Sequence, residues 1–497
     1  MSFGNRVLAT FVSATGVSLI VQALAFLRQI IVAASFGVTR ELDGYVVLYA
    51  IATYTVFTFG TVFDWVAVPH LVRVRENEGI DAACALALSL FRVSLLLGAC
   101  ASVLFLIVVP LLSPIVATGF AVSEKRNLAE LAWYFLPWTM IYVPYYAAAA
   151  RLKMEWRFNR VFASEIIIIV VSMSVLALWH QEIRCLPLAY AAGYAAGLMQ
   201  LSVGTGLLYS LPRSRKYQIH IVFRNMAQLF VANQSSHVAG MVDRHIQSFV
   251  PAGGVAAINY SAQLTNALAS LLTFRDVFAV PLAHSQDRAV RLERLLCGLS
   301  LIAAPLAGLV ACLAPDIIAI LFQRGRFDVH ATALTSQALR ISAISLVPGA
   351  LFFPMLRMFQ IMDRINFTYL LFLTLAISSA GFGYLFVVWL QLGVQGVALM
   401  QVASGPVVCL VAAHLIKRCG IGLAWRRILG HLLFALLASV AAALSAIVAI
   451  SNLEDVLLRL IAGGAAYGLT VVGIYALAKP QLRGIAFGTA PGPGAPS

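Results

Sequence analysis

The chain has 497 residues, of which 61% are hydrophobic and only 11% charged, and its formal net charge is +14. A soluble domain averages about a quarter charged and just under half apolar, so soluble enzymes, disulfide-built secreted scaffolds, disordered chains and nucleic-acid binders are excluded. Apolar sequence suffices for about a dozen or more spans of ~20 residues each.

Apolar runs between charged or Gly/Pro breaks predict an all-α polytopic membrane protein with fourteen spans. The first, 7–34, is too long for a signal-peptide core and has no small-residue cleavage site after it, so it reads as a retained helix. Five more follow at 43–70, 82–109, 128–150, 159–179 and 186–211. A second set of six lies at 225–249, 255–281, 295–322, 334–356, 365–390 and 394–416, and the plainest, most lipid-like runs come last, at 428–450 and 456–478. The Gly/Pro/Ala stretch 484–497 has no apolar periodicity and is predicted to be disordered.

With the N-terminus in the cytoplasm, inside loops and termini carry 22 Lys and Arg against 6 outside. This asymmetry predicts both termini inside and accounts for the basic balance without a nucleic-acid partner. The seven cysteines form no CxxC pair or Cys/His cluster and read as small membrane-core side chains. All outside loops are short, which leaves no room for a membrane enzyme's extracytoplasmic site, and no catalytic residues or cofactor are expected.

Two stretches echo one another. Phe26-Leu27-Arg28-Gln29-Ile30 with Asp43-Gly44-Tyr45 resembles Val242-Asp243-Arg244-His245-Ile246 with Asn259-Tyr260, and both Arg28/Arg244 and Asp43/Asn259 are 216 residues apart. Ser113-Pro114-Ile115 is echoed by Ala314-Pro315-Asp316, and Arg157-Phe158-Asn159 by Arg364-Ile365-Asn366. An even number of spans separates the copies, so they insert in the same direction. Parallel repeats of this kind imply two six-helix lobes around a central cavity. The expected division is an N-terminal lobe over 1–224, a C-terminal lobe over 225–427 and two further helices over 428–483.

Six basic residues fall within spans: Arg28, Arg92, Arg244, Arg275, Arg340 and Arg459. Each costs at least about 2.5–3.5 kcal/mol at mid-bilayer unless turned to a cavity or partner. Arg92 and Arg459 lie near helix ends and read as snorkelling side chains, while Arg275 adjoins Asp276. Arg28 and Arg244 lie deeper, at equivalent repeat positions; they either line a shared cavity or form interhelical ion pairs. Asn233, His237, Gly240, Arg244 and Gln247 share one helical face, as do Asn259, Gln263, Asn266, Ser270 and Thr273, and Gln22 lies on a polar side of the first span. Lipid offers such groups no hydrogen bonds, so these faces point to water, cargo or other helices.

Planar guanidinium forks suit phosphate, and two of them among neutral amides suit an anionic headgroup carrying hydroxyls, such as a sugar diphosphate. The acidic residues Asp64, Glu165, Asp243 and Asp276 either couple a cation or balance arginines; Asp243 beside Arg244 fits both descriptions. His237 reads either as a protonation switch or as a hydrogen-bonding neighbour. Membrane potential alone is the other source of drive.

At these residues the chain resembles the MurJ/MviN branch of the multidrug/oligosaccharidyl-lipid/polysaccharide (MOP) flippase superfamily. The resemblance rests on Phe26-Leu27-Arg28-Gln29-Ile30-Ile31-Val32-Ala33 through Phe36-Gly37 to Asp43, on Ser248-Phe249-Val250-Pro251-Ala252-Gly253-Gly254 with Tyr260, and on Leu321-Phe322-Gln323-Arg324-Gly325-Arg326-Phe327. It implies fourteen helices, two lobes and a V-shaped cavity that exports undecaprenyl-diphosphate-linked sugars across the bacterial inner membrane by alternating access. The substrate-binding set would be Arg28, Arg244, Asp43, Gln22, Asn259, Gln263, Asn266 and His237, with Asp243 and Asp64 as ion-coupling candidates. The departures are specific. Where lipid II flippases of the family carry cavity arginines, this chain has Gln22, approximately Val56, and Gln263, and an acidic partner is replaced by Asn266. The expected cargo is therefore a polyprenyl-diphosphate-linked exopolysaccharide or O-antigen repeat unit, as in Wzx-like exporters. Expected partners are membrane lipids and the polysaccharide polymerase and export machinery. The alternatives are lipid II itself and, further off, a cation-coupled drug antiporter.

Overall fold

The computed structural model describes residues 3–179, 181–203, 205, 219–273, 288–362 and 364–478. Among these the chain is helical, without a strand. The long helices are α1 Phe3–Phe36, α2 Arg40–Glu78, α3 Ile80–Val116, α4 Val122–Met154, α5 Phe158–Leu178, α6 Cys185–Ser202, α7 Ile219–Gln247 and α8 Gly254–Thr273. They continue with α9 Arg288–Cys312, a short α10 Ala314–Phe322, α11 Val329–Ile361, α12 over 365–389, α13 Gly393–Arg418, α14 Trp425–Ile450 and α15 Val456–Leu477. Each of the fourteen expected spans meets a helix; nine of the described helices are long and apolar enough on their own to cross a membrane.

Local chemistry marks the ends. Thr39 accepts from the Leu42 N–H, Asp328 from Ala331 and Asp455 from Leu458, so hydroxyl and carboxylate caps open α2, α11 and α15. The ninth expected span, 295–322, is corrected: α9 stops at Cys312 and α10 starts at Ala314, with Pro315 in its first turn. A proline has no N–H for the preceding turn and is favoured where a helix begins. Two segments, Thr53–Phe57 in α2 and Tyr384–Trp389 in α12, are wound as π-helix. Such bulges relax the regular ladder of a helix.

The duplication reaches the backbone. Arg157 (φ −92°, ψ 49°) and Arg364 (φ −101°, ψ 55°) precede α5 and α12 in nearly the same conformation. Each donates its N–H five residues back, to Leu152 and Phe359, at 2.9 Å. Gly37 and Gly253, again 216 apart, both take positive φ.

Two compact units result, 1–237 with 324–327, and 238–323 with 328–497. The division falls inside α7, after His237, where the sequence led us to expect it at 224/225. The first unit buries Phe63, Leu71, Leu86, Phe91, Val143 and Leu152. The second buries Leu292, Leu296, Met358, Phe359, Leu371 and Ile416. Outward faces are apolar as well: α3 is the most hydrophobic span, yet only 28% of its apolar window is buried, and α15 only 11%. Water would not leave such faces bare, whereas lipid solvates them. The chain is a multi-pass membrane protein. The tail 484–497, the loop arginines Arg213 and Arg215, and the Arg275–Asp276 pair lie outside the described residues.

Candidate functional site

In the first unit Arg28 lies on the C-terminal half of α1, with its guanidinium carbon 4.3 Å from the centre of the Tyr190 ring of α6. Its Nε is buried without a hydrogen-bond partner, and no carboxylate pairs with it among the described residues. Tyr190 stacks on Trp138 of α4 at 4.4 Å, nearly coplanar, and Trp138 stacks in turn on Tyr49 of α2 at 5.7 Å. Phe57, 4.6 Å from Trp138, and Tyr142, 4.3 Å from Phe57, extend the cluster. A cation held against an aromatic face keeps its edge donors for an incoming anion, and the stack adds about 0.5–2 kcal/mol of attraction. The sequence reading missed these aromatics; the signal was the density of Tyr134, Phe135, Trp138, Tyr142, Tyr145 and Tyr146 along α4.

The other expected residues of this unit are placed as follows. Asp43 is fully buried in the first turn of α2, 3.6 Å from the Arg40 guanidinium. Arg40 also grips Glu124 by two bonds, Nε to Oε1 and Nη2 to Oε2, both 2.9 Å, and lies over the Phe120 ring at 3.8 Å. Those bonds hold the Glu124 carboxyl below the usual carboxylate range. Gln22 is exposed on α1, and Val56 is fully buried in the π-helical segment. His237 meets Thr58, Nε2 to Oγ1 at 2.8 Å, and packs on the Tyr54 ring at 4.9 Å. Asp64 is ion-paired with Lys153, Oδ2 to Nζ at 2.6 Å.

In the second unit, Arg244 donates to Gln247 Oε1 at 2.6 Å. Ser379 and Arg244 face the neighbouring Asp243, while His245 bonds to the Tyr384 hydroxyl at 2.7 Å. Asn259 is half-buried, Asn266 is exposed, and the Gln263 carbonyl oxygen is buried without a partner among the described residues. Arg28 and Arg244 thus belong to different units, each with its own polar setting. The snorkelling assignment of Arg459 is corrected: its Nη2 lies 3.3 Å from Oδ1 of the buried Asp316, a partner supplied by α10. The break in α9–α10 creates that acidic first turn, which the sequence reading had passed over as part of a continuous span.

Duplicated helical sets, outward apolar faces and charges kept within the helix packing define a polytopic transporter-type fold. Residues 32–460 match the family model described as lipid II flippase MurJ; the chain belongs to the MurJ family. A probable lipid II flippase MurJ from Helicobacter pylori (strain J99 / ATCC 700824) is 28% identical over 155 residues, covering 29% of this chain and 33% of that protein. The match therefore spans about a third of the curated relative's length. Among solved structures, a lipid II flippase MurJ in an inward closed conformation has a TM-score of 0.75 at 16% identity, covering 94% of this chain and all of that one. An inward-facing multidrug-resistance MATE-family transporter of the MOP superfamily has a TM-score of 0.64 at 15% identity, covering 80% of this chain and 94% of its own. These likenesses show a shared fold.

Proposed function

We propose that this chain is a flippase that carries a polyprenyl-diphosphate-linked saccharide across the bacterial inner membrane by alternating access. Both termini would lie in the cytoplasm. The observation that carries the reading is Arg28: a cation braced by Tyr190 and paired with no carboxylate among the described residues. In a low-dielectric setting it would be stabilised by an anion brought to it, and a diphosphate offers charge and oxygens to a guanidinium fork. Arg244, with Gln247, is its counterpart in the second unit. Asn259, Gln263, Asn266, Gln22 and His237 would meet sugar hydroxyls, and Asp43 would act through Arg40. Asp243 and Asp64 are the candidates for coupling a cation. No covalent chemistry is required of any of these groups.

For the cargo we favour an exopolysaccharide or O-antigen repeat unit. Gln22, Val56 and Gln263 are neutral where the family resemblance expects guanidinium groups, and Val56 is fully buried. Lipid II is the second reading, supported by the description of the matching family. Chemical identification of the lipid-linked saccharide that accumulates in a null strain separates the two. Accumulation of a repeat unit in viable cells supports the first. Lethal accumulation of the peptidoglycan precursor, with other polymers untouched, overturns it.

A further inference from the structure

The aromatic stack beside Arg28 holds more ring surface than bracing one cation requires. Tyr190, Trp138, Phe57, Tyr45 and Tyr142 are all buried, and so is Phe135, 5.9 Å from Trp138. Tyr49 differs. It is the last ring in the chain of contacts that begins at Arg28, and it is 41% exposed. Trp138 stacks on it at 5.7 Å and 25°, while Tyr45 at 6.3 Å and Phe57 at 5.9 Å stand beside it and leave it open. Three contacts, of 4.3, 4.4 and 5.7 Å, lead from the cation to this open ring. That is the scale of a diphosphate followed by sugar rings.

The opening at Tyr49 differs from a lipid-facing surface. The exposed side chains of α3 in the same unit are aliphatic, Leu96, Val103, Ile107 and Leu111 among them. On α2, 72% of the apolar window is buried, the largest share among the nine described spans. One turn beyond Tyr49 stands the half-buried Thr53, whose hydroxyl donates to the Tyr49 carbonyl at 2.8 Å. Thr53 also begins the π-helical turn, a feature frequent at functional sites.

Trp138 supplies an independent sign. Its indole N–H is buried without a hydrogen-bond partner among the described residues. An orphaned donor is costly, and a phenylalanine would carry none. Keeping an indole beneath Tyr49 favours a broad, electron-rich face over stability, as functional sites do.

We propose that Tyr49 is a sugar platform, on which the first pyranose after the diphosphate lays its C–H face while the diphosphate lies at Arg28. The C–H groups on the face of a pyranose with equatorial hydroxyls are slightly positive and meet the negative face of the aromatic ring. A sugar with an unbroken C–H face is therefore preferred. The platform deepens the flippase reading and rests on it, since it makes the cargo's sugar a determinant of binding beside its phosphates.

The test is equilibrium binding of two probes to the full-length protein in lipid nanodiscs: undecaprenyl diphosphate, and the same lipid carrying one glucose. The unaltered chain is expected to hold the glucosylated probe about two- to tenfold tighter, the scale of one stacking contact. Tyr49→Leu fills the space without an aromatic face; it should abolish that preference and leave the affinity for the bare probe unchanged. Tyr49→Trp should keep the preference, and Arg28→Ala should weaken both probes. Equal affinities of the unaltered chain for the two probes, or a preference that survives Tyr49→Leu, overturns the platform and leaves the flippase reading standing. Binding of neither probe by the unaltered chain overturns that reading, and the platform falls with it.

Discussion

Gly37 and Gly325 lock together the end of α1 and the loop after α10. Both are in the left-handed region, φ +59° and +58°. A β-carbon on Gly37 would overlap the carbonyl oxygen of Arg326, and one on Gly325 that of Ala34. Between them the Arg326 N–H donates to the Ala34 carbonyl at 2.8 Å. Left-handed backbone costs a residue with a β-carbon about 1–2 kcal/mol, and the overlap adds to this. Gly325→Ala is expected to lower stability by at least about 2 kcal/mol, read as an earlier thermal unfolding midpoint of the full chain in detergent; an unchanged midpoint would show that the loop is not held this way.

The Arg40–Glu124 pair predicts an acid limb. Because Arg40 lowers the Glu124 pKa in the folded chain, the pair stabilises above the ordinary glutamate range and that contribution fades as pH falls through the lowered value. The pair is partly exposed, so its worth is at most about 1 kcal/mol. Glu124→Gln should narrow the stability difference between neutral and acidic pH, chiefly by lowering the neutral value. Equal pH profiles for the two proteins would contradict the assignment.

Arg459 now carries a structural expectation. Its removal leaves the buried Asp316 uncompensated, a loss of about 1–3 kcal/mol for a half-open pair. Adding Asp316→Asn should recover most of it, since the unpaired charge goes too. A thermal-shift double-mutant cycle with no coupling would return Arg459 to a merely interfacial role.

Arg28→Ala should cut export about ten- to a hundredfold, as expected for losing a hydrogen bond to a charged group worth about 1.5–3 kcal/mol. Protein abundance should stay normal. Arg28→Lys retains charge but not the planar fork, and is expected to recover only part of the activity. Tyr190→Phe keeps the stacking face and should be mild. Reduced abundance of Arg28→Ala would instead mark a structural side chain.

The all-helical polytopic architecture and the approximate positions of the helices were legible because apolar length is nearly all a span requires. The duplication was legible in Arg157 and Arg364 because the same turn demands the same residues in both copies. What sequence periodicity could not supply was pairing across helices. Asp64 and Lys153 lie far apart in the chain, and so do Asp316 and Arg459. Nothing in the spacing of either pair joins them. Nor does helical spacing show that Trp138 and Tyr190 stack beside Arg28, since they come from different helices. The resemblance around Phe36-Gly37 and Arg324-Gly325-Arg326-Phe327 was visible as two separate motifs; their reason is that each closes on the other.

That closure makes the first unit discontinuous in the gene: four residues from beyond α10 complete it. A fragment ending at His237 would lack the strand of backbone that docks on Ala34, so the amino-terminal half cannot mature fully until translation has passed Phe327. Membrane insertion of the early helices and completion of their packing are thus separated in time by the synthesis of α8, α9 and α10.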